Sequence, residues 1–137
     1  MFGDRKKPAA MTIDTLIGAG TVVEGSIRFR GGLRIDGTVI GSVRAEEGAR
    51  GMLVVSETAR IEGDVRAAQL VINGTLLGPV HADELIELQP QARVVGDVAY
   101  RALEMHHGAV LDGRVSQLQE GAPVEPRSGL KLAASNE

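Results

Sequence analysis

The sequence predicts an all-β fold: a parallel β-helix, or β-solenoid, of about six turns with a triangular cross-section. Three observations support this fold class. A short motif occurs six times at intervals of 15 to 22 residues. Its apolar positions alternate with polar ones, as in strands buried on one side. Aliphatic side chains are abundant, whereas the chain has only two Phe, one Tyr and no Trp.

The clearest copy of the motif is Ala59–Ala67, in which apolar and small residues flank Gly63 at regular intervals. The other copies centre on five glycines: Gly25, Gly41, Gly78, Gly96 and Gly113. An aliphatic residue lies two positions before and two positions after each glycine, and a small residue lies four before it. The position eight before is also apolar in every copy: Ile17, Leu33, Val55, Leu70, Leu88 and Met105. Four aligned columns indicate a structural repeat.

Each repeat is too short and has too few apolar residues to form a core alone, so the repeats must stack on one another. A turn of about 17 residues suits three short strands, and six turns at roughly 4.8 Å each give a rod about 30 Å long. The longest interval contains Glu46–Gly51, which we interpret as a surface loop inserted at a corner.

The pattern divides the 137 residues into three parts: a flexible tail over 1–14, the solenoid over 15–118, and a second flexible tail over 119–137. The second tail contains Pro123 and Pro126 and mixed charge, and shows no strand periodicity. The chain has no cysteine, which suits a reducing cytoplasm. The net charge of −3, with acidic and basic residues interspersed, gives no reason to expect nucleic-acid binding. No apolar run approaches the roughly 20 residues that span a bilayer.

The sequence offers no constellation typical of an enzyme. His81, His106 and His107 are the only histidines, and their spacing favours neither a metal site nor a catalytic base. No phosphate-binding GxxxxGK[ST] loop is present. We therefore expect no catalytic residues, no metal and no cofactor.

Two alternatives remain open. A left-handed β-helix acyltransferase of the hexapeptide type would explain apolar residues six apart, at Ile17, Val23, Phe29 and Ile35, although Gly41 breaks that series. A monomeric β-solenoid adaptor would require capped ends, for example by the C-terminal tail folding back over the last turn.

The two ends of the predicted solenoid are the candidate functional sites. The terminal turns of a solenoid expose unpaired backbone groups around an apolar plug, which monomeric solenoids cover with a cap. The sequence shows no helical cap beside either terminal repeat. We therefore expect a polymer interface formed by apolar residues of the first and last turns: Leu16, Ile17, Val22, Val23, Leu103, Met105, Val110, Leu111 and Val115.

Several repeats resemble those of the bactofilins, which are bacterial polymer-forming cytoskeletal proteins. The resemblance covers about residues 15–118 and is carried by these segments: Gly25-Ser26-Ile27, Ile35–Val43, Ile61–Val65, Ile72–Leu76 and Val95–Val98. It implies a right-handed β-helix, the hand that parallel crossovers also favour. It further implies non-polar filaments, joined head to head and tail to tail without nucleotide or metal. Such filaments scaffold cell-wall enzymes or other localised machinery at the inner face of the cytoplasmic membrane.

The first residues are similar to the membrane-targeting peptide of many bactofilins. Phe2 would enter the lipid headgroup boundary beside Met1, and three cations would meet anionic lipid, at about 1 kcal/mol each: Arg5, Lys6 and Lys7. Asp4 departs from this pattern and weakens the attraction. Because one such peptide binds weakly, many copies on one polymer are needed for stable attachment.

Overall fold

The computed structural model describes residues 12–48 and 50–118, and these residues form β-strands and turns without a helix. There are fifteen strands: β1 (Ile13–Ile17), β2 (Val22–Glu24), β3 (Ile27–Phe29), β4 (Gly32–Ile35), β5 (Thr38–Ile40), β6 (Val43–Ala45), β7 (Met52–Val55), β8 (Arg60–Glu62), β9 (Val65–Ile72), β10 (Thr75–Leu77), β11 (Val80–Leu88), β12 (Arg93–Val95), β13 (Val98–Met105), β14 (Val110–Asp112) and β15 (Val115–Gln117). The first strand begins two residues before the predicted boundary. The remainder of both predicted tails, 1–11 and 119–137, lies outside the described residues.

The strands form six turns of a solenoid with three faces, and every pairing between turns is parallel. Face 1 contains β1, β4, β7 and the C-terminal parts of β9, β11 and β13; face 2 contains β2, β5, β8, β10, β12 and β14. Face 3 contains β3, β6, the N-terminal parts of β9, β11 and β13, and β15. The three longest strands bend at a corner and so contribute to two faces. This confirms the predicted all-β, six-turn parallel solenoid, while the right-handed coil stays a prediction.

The core consists of aliphatic ladders that run along the solenoid axis. On face 2 the ladder is formed by the residues two positions before each repeat glycine, and Val39, Ile61, Leu76 and Val94 are fully buried. On face 3 the residues two positions after the glycine form an equivalent ladder through Val43, Val65, Val80 and Val98. No polar or charged residue of the described part is buried. Stability therefore rests on dense aliphatic packing.

On face 1, the residues that pair between turns differ from those aligned in the sequence by their distance from the repeat glycine. That alignment placed Leu33 and Leu70 in one column with Val55, but the structure pairs Val55 with Ile35 and Ile72. The cause is the length of the corner between faces 1 and 2. This corner has two residues between β4 and β5 and between β9 and β10, but four residues between β7 and β8. A shift of two residues keeps side chains on the same side of a strand. Both leucines therefore still point inward, in a neighbouring ladder through Leu53, Ile86 and Leu103.

The repeat glycines stack on one another at the corner between faces 2 and 3. All six have positive φ angles between 123° and 153°, a region that residues with a side chain rarely adopt. A Cβ atom added to Gly63 would overlap the carbonyl oxygen of Gly41 in the preceding turn, and each later repeat glycine is crowded in the same way. The motif therefore requires glycine both for its backbone angle and for close contact between turns.

Replacing Gly63 with alanine should destabilise the solenoid by more than about 1 kcal/mol, because both the φ angle of 148° and the adjacent backbone oppose a Cβ atom. Thermal unfolding followed by circular dichroism measures the change. Gly18→Ala is the matched control, since a Cβ atom there has no neighbour within 4 Å. Equal melting temperatures for the two variants would show that the glycine stack has no special role.

The predicted loop insertion lies between β6 and β7, at the corner between faces 3 and 1. Arg50 attaches the loop to a later turn, because its Nε and Nη2 donate hydrogen bonds to the Glu84 carboxylate at 2.9 and 2.8 Å. This contact, together with a hydrogen bond from Gln69, lowers the pKa of Glu84. Since both side chains are partly exposed, the pair adds little to overall stability.

Candidate functional site at the two ends of the solenoid

Both ends of the solenoid leave strand edges without a partner in the described part of the chain. At the N-terminal end, β1, β2 and β3 each pair only with the next turn. At the C-terminal end, β14, β15 and the last residues of β13 pair only with the preceding turn. Among the described residues, each end therefore presents a ring of three strand edges whose N–H and C=O groups have no strand partner.

The N-terminal ring surrounds apolar side chains that cover the first complete layer of the core. Of the residues predicted here, Ile17 and Val23 point inward and are half-buried, directly above the fully buried Ile35 and Val39. Two further residues pack in the same way and were missing from the predicted interface: Ile27 and Phe29. Ile27 could have been found from the sequence, because it occupies the repeat position two after Gly25.

The C-terminal ring has an equivalent plug. Leu103, Met105, Leu111 and Val115 continue the inward ladders through Ile86, Leu88, Val94 and Val98. Those four underlying residues are at most 1% exposed, whereas Met105 is 48% and Val115 is 45% exposed. The difference arises because no seventh turn of the described chain covers them. All four predicted C-terminal residues with inward positions therefore lie on one apolar end surface.

The other three predicted interface residues lie on the lateral faces of the terminal turns. Leu16, Val22 and Val110 pair with residues that point away from the core: Arg34, Thr38 and Arg93. Because side chains alternate along a strand, these three also point outward, and they are 58%, 61% and 45% exposed. They border the two end surfaces and do not fill them.

Two of the three histidines, His81 and His106, lie beside surface carboxylates. His81 Nε2 and Arg66 Nη2 lie 3.0 and 3.1 Å from Asp83 Oδ1, and burial together with Arg66 lowers the pKa of His81. His106 Nε2 lies 2.8 Å from Glu87. Within residues 12–48 and 50–118, no group of three or more His, Cys, Asp or Glu residues could hold a metal ion.

The residues expected to contact a membrane fall outside the described part of the chain: Met1, Phe2, Arg5, Lys6 and Lys7. In the described part, no helix has the length and apolar character that crossing a membrane requires.

Over residues 12–48 and 50–118, these features define a parallel β-solenoid with strand edges and apolar side chains at each end. The chain belongs to the bactofilin family: the family described as "Bactofilin: Polymer-forming cytoskeletal" matches residues 15–116. This confirms the resemblance seen in the repeats. The protein is thus a member of a family of polymer-forming cytoskeletal proteins.

Two curated relatives share this similarity, and both come from Myxococcus xanthus (strain DK1622). Bactofilin BacO is 29% identical over 110 residues, which cover 80% of this chain and 84% of BacO. Bactofilin BacP is 32% identical over 97 residues, which cover 69% of this chain and 40% of BacP. No solved structure matches the chain.

Proposed function

We propose that this protein assembles end to end into filaments that act as a membrane-associated scaffold for cell-shape or cell-wall machinery. The observation that carries the proposal is the pair of open ends, where strand edges surround an apolar plug and the described residues supply no cap. A monomer with two such ends leaves both backbone groups and apolar area exposed. Joining the ends of separate copies pairs these backbone groups and buries this apolar area.

Two contributions favour a joint between the ends of separate copies: backbone hydrogen bonding and burial of apolar area. If about ten backbone hydrogen bonds form across a joint at about 1 kcal/mol net each, they contribute on the order of 10 kcal/mol before association costs. Burial of exposed plug residues such as Met105 and Val115 adds a hydrophobic contribution of about 25 cal/mol per Å². Neither contribution needs nucleotide or metal, so the assembly proposed here uses no cofactor, and we assign the protein no enzymatic activity.

The outward residues of face 2 favour a non-polar filament, joined head to head and tail to tail. Glu24 and Asp112 lie in the same outward column, at opposite ends of the solenoid. A head-to-tail joint that continued the ladder in register would place Asp112 directly beside Glu24 of the next copy. Like charges opposite one another in a sheet are unfavourable, by a few tenths of a kcal/mol to about 1 kcal/mol. A joint between two N-terminal ends whose two-fold axis passes near Val23 instead places Glu24 beside Val22 of the second copy.

Attachment of the filament to the inner face of the cytoplasmic membrane is assigned to the first seven residues. The apolar Phe2 and three nearby cations have the composition of a weak interfacial anchor, and a polymer multiplies such anchors. This arrangement would keep the protein cytoplasmic and peripheral, and would leave the lateral faces free for cell-wall enzymes or other localised partners.

Deleting residues 1–7 should leave polymerisation unchanged and abolish flotation with anionic liposomes, because the end surfaces remain intact while the apolar and cationic contacts are lost. Flotation on a density gradient, with neutral liposomes as a control, measures the effect. Unchanged flotation of the shortened protein would assign membrane contact to another part of the chain.

The proposed assembly is tested by negative-stain electron microscopy of the purified protein in EDTA without nucleotide. Long, uniform filaments a few nanometres wide are the expected result. Compact trimers would instead support the left-handed acyltransferase alternative and would call for acyl-CoA binding assays. Discrete monomers at high concentration would support a capped adaptor.

A further inference from the structure

The outer surface of face 1 has an apolar centre with opposite charges on either side. One outward column runs through six turns in the order Leu16, Arg34, Val54, Val71, Glu87, Glu104. The two valines lie in the two central turns and are half-buried. In the neighbouring outward column, the half-buried Met52 widens this centre in the third turn, and Gln69 and Leu85 follow it in the fourth and fifth turns. Arg34 precedes this centre by one turn, and Glu87 follows it by one turn.

This order of residues is self-complementary when two copies face each other in opposite directions. A two-fold axis parallel to the strands, between the third and fourth turns, brings turn two of one copy opposite turn five of the other. Arg34 then faces Glu87 of the second copy at two equivalent places, and Val54 faces Val71 between them. Arg34 can make this contact while its Nε binds Asp36 at 2.9 Å, because the guanidinium group has further N–H donors.

The same face does not fit a second copy that runs in the same direction. A two-fold axis along the solenoid brings each turn opposite its own equivalent. If this axis passes through the column of Arg34, then Arg34 faces Arg34, and Glu87 and Glu104 each face themselves. If it passes between the two outward columns, Arg34 faces Gly32 and Glu87 faces Leu85, so that no opposite charges meet. Contacts between like charges are unfavourable, so face 1 selects the antiparallel arrangement.

Faces 2 and 3 lack this pairing of opposite charges, although antiparallel packing of face 2 would set the exposed Ile40 opposite Val95. The centre of face 2 carries Arg60 and Glu62, which bind each other at 2.7 Å, and antiparallel pairing would place Glu24 opposite Asp112. Face 3 carries a column of cations through Arg28, Arg44 and Arg66. Antiparallel pairing of that face sets Arg44 and Arg66 opposite Ala99 and His81, and neither is acidic.

We infer that face 1 is a lateral interface between filaments, in which a second copy of this chain packs antiparallel, with Arg34 of each copy opposite Glu87 of the other. This inference rests on the proposed end-to-end assembly. The flat face measures about 30 Å by about 13 Å, or roughly 400 Å² per copy. A stable pair of proteins usually buries about 800 Å² per partner. Isolated subunits therefore pair weakly, and filaments pair firmly because many contacts act together.

Charge reversal tests the interface. In electron micrographs of the full-length protein, Arg34→Glu or Glu87→Arg alone should reduce laterally paired filaments about tenfold or more, because each change creates two repulsive contacts per pair of subunits. The double variant R34E/E87R should restore pairing. Arg93→Glu on face 2 is the matched control and should pair as the wild type does, since Arg93 is exposed and lies outside face 1.

Cross-linking provides a second measurement, which tests whether residues 34 and 87 face each other across the interface. The chain has no cysteine, so Arg34→Cys and Glu87→Cys each introduce a single thiol. A bismaleimide reagent about 10 Å long should link the two variants in a mixture, because opposed sheets lie about 10 Å apart. It should link neither variant alone, since two copies of residue 34 are separated by about three additional turns along the axis, roughly 14 Å.

The outcomes separate this inference from the proposed assembly. Single filaments in the wild type, or pairs that persist in Arg34→Glu, would overturn the lateral interface while leaving end-to-end assembly intact. Absence of any filament would overturn the assembly itself. In that case failure to cross-link the mixed variants at high concentration would also overturn the interface.

Discussion

Leu111→Arg should stop filament growth while leaving the β-rich circular dichroism spectrum largely intact. Leu111 continues the fully buried ladder of Val94 into the last turn, where the described chain leaves it partly exposed. A joint between two C-terminal ends would bury two introduced charges, at a cost of several kcal/mol per ion. Even about 4 kcal/mol weakens a joint on the order of 10³-fold. The fold survives because the charge remains at an open end.

The size of the remaining species reports the polarity of the filament. If like ends join, Leu111→Arg blocks only C-terminal joints, and the protein should elute as a dimer joined through its N-terminal ends. Val23→Arg should give the complementary dimer, and the double variant V23R/L111R should give a monomer. In a head-to-tail filament every joint uses both ends, so either single change would give monomers. Size-exclusion chromatography with light scattering distinguishes these results.

A charge elsewhere in the last turn serves as the control for Leu111→Arg. Ser116 lies in β15 and is exposed, in the outward column next to Ala99. Ser116→Arg adds the same charge to the same turn without placing it in the plug, and this variant should form normal filaments. Long filaments of Leu111→Arg would show that the polymer contact is not at this end.

Val65→Asp should unfold the protein or lower its stability by about 3–5 kcal/mol. Val65 is 1% exposed, in the third turn, between Val43 and Val80 of the face 3 ladder. No polar or charged residue of the described part is buried, so the ladder offers an introduced carboxylate no established polar partner. Burying a charge without a partner is among the largest single-residue penalties. Thermal and urea unfolding followed by circular dichroism measures the loss.

Thr75→Asp is the matched control for this change. Thr75 lies in the fourth turn and points outward, between Arg60 and Arg93 of the adjacent turns. A carboxylate there meets two cations and solvent, so stability should stay within about 0.5 kcal/mol of the wild type. Similar unfolding midpoints for Val65→Asp and Thr75→Asp would refute the assignment of the core.

The general position of the candidate site could be predicted from the sequence, because the site lies where the series of repeats begins and where it ends. The plug residues Ile17, Val23 and Leu111 belong to columns that continue through six copies of the motif, so their terminal position could be read directly. Leu16, Val22 and Val110 were included only because they are apolar and terminal. Whether an apolar residue next to a ladder points in or out depends on its partner in the adjacent turn, and single-strand periodicity is ambiguous where two apolar residues are consecutive.

The sequence by itself determined that this chain is a solenoid of six stacked turns, each built from short β-strands, with aliphatic ladders inside and a glycine at one corner. These properties are local, since alternation along a strand and the conformation of glycine are decided within a few residues. Only the tertiary structure decided the register between turns, because corners of two and four residues shift each strand relative to the next. That register places Arg50 against Glu84, 34 residues away, and sets Arg34 and Glu87 at symmetric distances from the centre of face 1. Such relations depend on the summed lengths of all intervening corners, which no single repeat encodes.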